Sequence, residues 1–144
     1  MADSGSPTTG AAGPARSQAD LRASIAAARQ GVAVSEAIET MVAWSIPVAR
    51  FAAILGCSER KWSRARAGAL DMQLSLTESD RLCRTRRLFE HTRIVFDDDA
   101  DARAWLSTPN PALSGEPPLA LLDTDAGVRL VDDVLTRLEF GVYA

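Results

Sequence analysis

Few residues in this chain could do covalent chemistry. His91 is the only histidine in 144 residues, and the two cysteines, Cys57 and Cys83, form no CxxC pair. A zinc site needs four closely spaced nitrogen or sulfur ligands, so two buried free thiols are expected instead. Asp97, Asp98 and Asp99 stand in a row, but no turn glycine or further carboxylate follows at the spacing of a calcium loop. Asp132 and Asp133 are neighbours in a helical pattern, which points them apart rather than at one substrate. No Gly-rich phosphate loop, GxGxxG motif or Ser-His-Asp order of note is present. The chain is therefore not expected to be an enzyme, and no metal, cofactor or small-molecule substrate is expected.

Charge offers chemistry of another kind. The net charge of −3 hides an asymmetry along the sequence. Residues 1–57 carry four basic and four acidic side chains, residues 58–93 nine against five, and residues 94–144 three against ten. The middle can meet a polyanion, whereas the end repels one. Within the middle, SERKWSRARAG begins with the cap residue Ser58, stops at Gly68 and has one apolar anchor, Trp62. Arg60, Lys61, Ser63, Arg64 and Arg66 are left outward as nucleic-acid contacts. Lys61 stands where many such helices carry a small Thr or Ser, which directs the expectation to phosphate rather than to bases.

The elements that must position these residues read as helices throughout. Residues 1–17 are Ser, Gly, Ala, Pro and Thr with nothing to bury, and are expected to be a disordered tail. Residues 18–30 are strong helix formers closed by Gly31. Ser35 is the expected cap of a helix to Trp44, with Ile38, Met41 and Val42 as its stripe. Pro47 suits the first turn of another helix, with Phe51, Ala52 and Leu55 inward. The spacing FAxxLGxSxxxW, with glycine at the turn, predicts a helix-turn-helix. Thr77 is the expected start of a long helix to Phe96, the spine of the fold. Leu82, Phe89 and Phe96 recur along it every seven residues, and its arginines either pair with acidic neighbours or meet phosphate. Asp99 is the expected cap of a short helix holding Trp105 and Leu106. Four prolines, at 109, 111, 117 and 118, then exclude helix until about Leu119.

The last helix is capped by Thr124, with Asp125 in its first turn, where the dipole favours negative charge. Val131, Val134, Leu135 and Leu138 form its apolar stripe and Gly141 its terminal glycine cap. Only Val142, Tyr143 and Ala144 follow, and an aromatic at that place predicts a surface that a partner covers. Trp105, Leu113, Leu119, Val131, Leu135 and Leu138 are the expected core of this end, and Gly127 a close-packing position.

The order Trp105-Leu106, Thr108 to Leu113, Pro118-Leu119, Leu122, Gly127, Leu138, Gly141 and Tyr143 resembles the Xre/ParS/MbcA family of antitoxins. The resemblance covers roughly the last 110 residues. It implies a protein that neutralises a RES-domain toxin, an enzyme that consumes NAD or transfers ADP-ribose from it, by entering the toxin's NAD cleft with its C-terminal end. Blocking would then be steric, with the Tyr143 ring and a terminal carboxylate at Ala144 taking the place of parts of the dinucleotide.

The reading is thus an all-α protein. A disordered tail (1–17) precedes a helix-turn-helix half of the Xre type (18–96), on which a smaller helical toxin-binding half (97–144) packs. The toxin-binding surface is expected on the loop from Asn110 to Pro117, on Arg137 and Glu139 of the last helix, and on Gly141, Val142, Tyr143 and Ala144. Operator DNA and autoregulation are the expected role of the basic helix. A homodimer follows from the symmetry of half-sites. No apolar run reaches membrane length and no signal-peptide pattern appears, so a cytoplasmic protein is expected. The alternative is a dimeric helix-turn-helix regulator whose C-terminal half serves only dimerisation. The acidic end, suited to a basic dinucleotide cleft, favours the antitoxin.

Overall fold

The computed structural model describes residues 17–68 and 72–141, which form seven α-helices with short 3-10 turns and loops between them, and no β-strand among them. The tail expected over residues 1–17 lies outside the described residues, apart from Ser17. That residue begins α1 (Gln18–Gln30) through a reciprocal cap: its hydroxyl accepts from the Asp20 N–H while the Asp20 carboxylate accepts from the Ser17 N–H. α2 (Val34–Ala43) has its N-terminal cap at Ala33, two residues before the expected Ser35. Backbone pairing sets this start, because the Val34 N–H donates to the Met72 carbonyl and Ala33 bridges Gln73.

α3 (Val48–Leu55) follows directly on Pro47, and α4 (Glu59–Gly68) begins after Gly56, Cys57 and Ser58. Gly56 is left-handed at φ 75°, and a Cβ there would collide with the Arg81 guanidinium. The space belongs to Arg81, whose Nη1 donates to the Leu55 carbonyl at 3.3 Å and so closes the end of α3. Phe51 and Trp62 lock the two helices face to face, with ring centroids 5.2 Å apart.

α5 (Leu76–Phe96) is the spine, packed against α1, α3, α6 and α7. Its cap is Ser75 rather than the expected Thr77. The Ser75 hydroxyl accepts from the Glu78 N–H and the Glu78 carboxylate accepts from the Ser75 N–H. Leu82 and Phe89 are buried as the seven-residue spacing predicts, with Leu88 buried beside them, while Phe96 is only partly covered, against Trp105. α6 (Asp99–Ser107) is capped by Asp98, one residue before the expected Asp99, because Asp97 leaves α5 in the left-handed region at φ 49°. Two short 3-10 turns, Pro111–Leu113 and Pro118–Leu121, occupy the stretch expected to be without helix, each with a proline in its first turn.

α7 (Asp125–Glu139) begins at Thr124, as expected. Val131 and Leu135 are fully buried, and Leu113 and Leu119 come down onto the same core. Trp105 and Leu138, expected inside, are only partly covered. The buried side chains form one cluster from Val32 to Leu135, so both halves of the sequence share a core.

Gly127 is the tightest point of this packing. A Cβ there would collide with the Leu121 carbonyl oxygen, which is backbone and cannot swing aside. Gly127→Ala should therefore force α7 away from the 3-10 turn. A loss of about 2–3 kcal/mol is expected in thermal or urea unfolding, against a gain of a few tenths if the position were merely helical.

Candidate functional site

Two surfaces built by different helices carry the expected contacts. On the first, Arg60, Ser63, Arg64 and Arg66 of α4 are all exposed. Trp62 anchors the opposite side of the helix, and the Ser58 hydroxyl caps it by accepting from the Lys61 N–H. Among the described residues Arg60, Arg64 and Arg66 enter no ion pair. Lys61 differs, since its Nζ lies 3.3 Å from Glu78 of α5. Burial pushes the Glu78 carboxyl up, but its bonds from Ser75 and the neighbouring Lys61 outweigh that and hold it below the ordinary value. One of the five expected contacts is thus partly committed to the fold.

The arginines of α5 are not a second basic face. Arg81 closes α3, Arg84 reaches Asp125 at the start of α7 (3.4 Å), and Arg86 binds the Thr40 hydroxyl and the Glu36 carbonyl on α2. Arg93 pairs with Glu90 and Asp99 and lies over the Trp44 ring at 5.4 Å. Arg84 and Arg93 pair with acidic neighbours, one of the two readings open for these arginines, while Arg81 and Arg86 bind backbone carbonyls instead.

The second surface is the loop after α6 with the end of α7. Asn110 organises the loop. Its side chain accepts from the Ala112 N–H, its carbonyl accepts from the Leu113 and Gly115 N–H groups, and its own N–H donates to the Glu116 carbonyl. Ser114 and Gly115 turn through positive φ (57° and 80°), and Leu113 plugs the loop into the core. Asn110 and Pro117 are half-buried at the two ends, with the residues between them exposed apart from Leu113. The backbone of this loop is held before any partner arrives, so little ordering cost remains at binding.

At the end of α7, Arg137 is exposed. Glu139 turns inward and accepts from His91 Nε2 at 2.7 Å. Gly141 is exposed at φ 65°, its N–H donating to the Leu138 carbonyl. Val142, Tyr143 and Ala144 lie outside the described residues. Sequence reasoning passed over His91 itself. Its Nδ1 is 2.8 Å from Asp132, so one ring bridges two carboxylates of α7. The bond to Asp132 raises the affinity of the ring for its second proton, burial opposes this, and Glu139 adds to the rise.

The sign of the resulting pH dependence follows. A His whose folded pKa is raised contributes in full below its unfolded value of about 6.5 and loses that contribution as pH rises through the folded pKa. Stability should therefore fall between neutral and alkaline pH in the native chain, and this fall should be missing from His91→Ala. At neutral pH the variant should be less stable by about 2–3 kcal/mol, below the full cost of orphaning a buried charge because Asp132 is partly wet. Thermal unfolding across the pH series measures both.

Comparison with known proteins finds a family match over the C-terminal part of the chain. Residues 91–141 match the model of the family described as the antitoxin Xre/MbcA/ParS C-terminal toxin-binding domain. That stretch opens at the bridging histidine and closes at the glycine after α7. The chain is 32% identical over 111 residues to an Antitoxin Xre from Yersinia enterocolitica, covering 76% of this chain and 74% of that protein. It is 34% identical over 71 residues to an Antitoxin Xre from Pseudomonas putida, 49% of this chain and 45% of that one. A third Antitoxin Xre, from Photorhabdus laumondii, is 31% identical over 92 residues, 63% of this chain and 61% of that protein. With residues 91–141, from the end of α5 to the end of α7, matching the toxin-binding domain, the chain belongs to the Xre/MbcA/ParS family of antitoxins.

Proposed function

We propose that this antitoxin binds a RES-domain toxin, one that transfers ADP-ribose from NAD or degrades NAD, and inhibits it sterically. The observation that carries the reading is the match of residues 91–141 to a toxin-binding domain, at the end of the chain richest in negative charge. An NAD cleft must hold a pyrophosphate, which calls for arginine, lysine or backbone N–H donors. An acidic chain end complements such a cleft and is repelled by nucleic acid. The contact surface is the preformed loop from Asn110 to Pro117, Arg137 at the end of α7, and residues 141–144, with Glu139 held inward by His91 rather than offered to the partner. Tyr143 is the main anchor, since its ring brings large area with few rotors. No covalent chemistry is asked of this chain, which acts in the cytoplasm, where NAD is used.

A DNA role is supported by a separate observation: α4 presents Arg60, Ser63, Arg64 and Arg66 outward, on a helix joined to α3 by a three-residue turn. In this reading residues 18–96 are a helix-turn-helix half that binds operator DNA as a homodimer, and residues 97–144 are the toxin-binding half.

The two activities are separable by experiment. Co-expression of the full chain with a RES-domain toxin should yield a stable complex in which NAD competes with the antitoxin. Tyr143→Ala should weaken that complex by about 2 kcal/mol while leaving the melting temperature of the free antitoxin nearly unchanged. A complex indifferent to NAD and to Tyr143 would remove the cleft from the account.

For DNA, four phosphate contacts from Arg60, Lys61, Arg64 and Arg66 give a log–log salt slope of about −3.6 per helix, or about −2.7 if Lys61 stays with Glu78. Arg64→Glu with Arg66→Glu should abolish promoter binding and spare toxin neutralisation. Equal loss of both activities would show that α4 serves the partner or the fold.

A further inference from the structure

The last turn of α7 is held in an unusual way. The buried side chains of this helix are Val128, Val131, Val134 and Leu135, and none lies beyond Leu135. Leu138 is only partly covered and Phe140 is half exposed. Full apolar burial therefore stops about a turn before the helix does, with Leu138 packed only at the edge of the core. What reaches past that point is a polar tie, from His91 Nε2 to Glu139, the final residue of α7.

The same ring holds Asp132 through Nδ1. Residues 132 and 139 are seven apart, so they share a face of the helix and lie about 10 Å apart along its axis. Arg84 already ties the start of α7 to α5, and two bonds from one rigid ring at that spacing fix how its far end is turned. A neutral imidazole has one N–H and one lone pair. With carboxylate oxygens at 2.8 and 2.7 Å from its two nitrogens, only the imidazolium satisfies both.

The ring lines a cavity of about 810 Å³ between α1, α5 and α7, through which water and protons can reach it. The charged groups on that wall are Asp132 and Glu139 from α7, Arg86, Arg87 and Glu90 from α5, and Asp20 from α1, with the Cys83 thiol beside them.

We propose that His91 is the positioning residue of the toxin-binding end. As an imidazolium bonded to Asp132 and Glu139, it sets the pose of the last turn of α7, from which residues 140 onward leave to meet the toxin. The proposal rests on the toxin-binding reading above for its consequence and on the chain alone for its geometry. Loss of the ring proton puts a lone pair against one carboxylate and releases that end of the helix, so toxin affinity depends on the charge of a residue that need not touch the toxin.

The test exploits the fact that the chain has a single histidine, so its ring resonances are unambiguous. In the full chain at neutral pH, nitrogen-detected imidazole spectra should show both ring nitrogens protonated. As pH is raised and the ring titrates, the Leu138 methyl resonances should shift with the same midpoint. Affinity for a co-expressed RES-domain toxin should fall by about tenfold, the loss of one charge-assisted bond.

Asp132→Asn supplies the control. Its amide can donate to Nδ1 while Nε2–H donates to Glu139, so a neutral ring keeps both bonds and the pH dependence of toxin affinity should flatten. A singly protonated ring at neutral pH overturns the proposal. So does native affinity that ignores the ring's titration, or an Asp132→Asn chain with the native pH profile. If no RES toxin is bound at any pH, the toxin reading fails by itself, and the Leu138 methyls decide: unmoved by the titration, they overturn the clamp, and moving with it they uphold it.

Discussion

The fold depends on one constraint: α5 has neighbours on nearly every side and must satisfy its polar groups against them. A helix covered this way cannot follow the simple rule of one apolar stripe. It buries Leu82, Leu88 and Phe89, but also Ser79, Thr85, His91 and Thr92. Thr85 and Thr92 donate back to their own helix, and Ser79 accepts from the Val32 N–H and donates to the Leu74 carbonyl. The longer side chains each take a different neighbour: Glu78 takes α4, Arg81 the end of α3, Arg86 α2, Arg84 and His91 the two ends of α7. Apolar contact is non-directional and says only that helices pack. These bonds fix where each one stops and how it is turned.

That division explains what was legible in the sequence. Periodicity and caps read along the chain, so the helices, Thr124, Ser58, Gly31 and the Pro47 start were visible. Where caps were misplaced, the winner was an interaction beyond the local signal or a closer rival. Ser35 lost to the pairing of Val34 with Met72, and Thr77 lost to the reciprocal bonds of Ser75 and Glu78. The core of α7 was legible as far as Leu135. Leu138 and Trp105 look equally apolar in sequence, yet they are only partly covered, because burial depends on what lies opposite.

His91 was illegible for a different reason. Its partners are 41 and 48 residues away, and nothing in the local pattern of α5 separates it from the arginines around it. The one usable signal was on the other helix. Asp132 and Glu139, seven apart on the flank of an apolar stripe, are two acids on one face that require a cation. The expected outward role of Glu139 was reasonable from sequence because the ring that turns it inward comes from elsewhere in the chain. The Asn110 loop is intermediate. Its prolines and Gly115 announced a restricted turn, but not that a single asparagine would hold the backbone on both sides.

The acidity of the C-terminal region, which set its functional reading apart from the basic helix, changes meaning once the partners are assigned. Of the ten acidic residues from Asp97 on, Asp99, Asp125, Asp132 and Glu139 are paired with Arg93, Arg84 and Arg129, or His91. Asp132 and Glu139 are drawn inward by His91, whereas Asp99 and Asp125 keep their pairs at exposed positions. The other six, Asp97, Asp98, Asp101, Glu116, Asp123 and Asp133, are exposed without an ion pair among the described residues. They lie around the start of α6, on the loop, in the turn before α7 and on the outer face of that helix. Unpaired negative charge is thus spread along this side of the chain, while Asp132 and Glu139 are turned inward to His91. Net charge alone could not separate those two uses of the same residue type; the distances to Arg84 and His91 do.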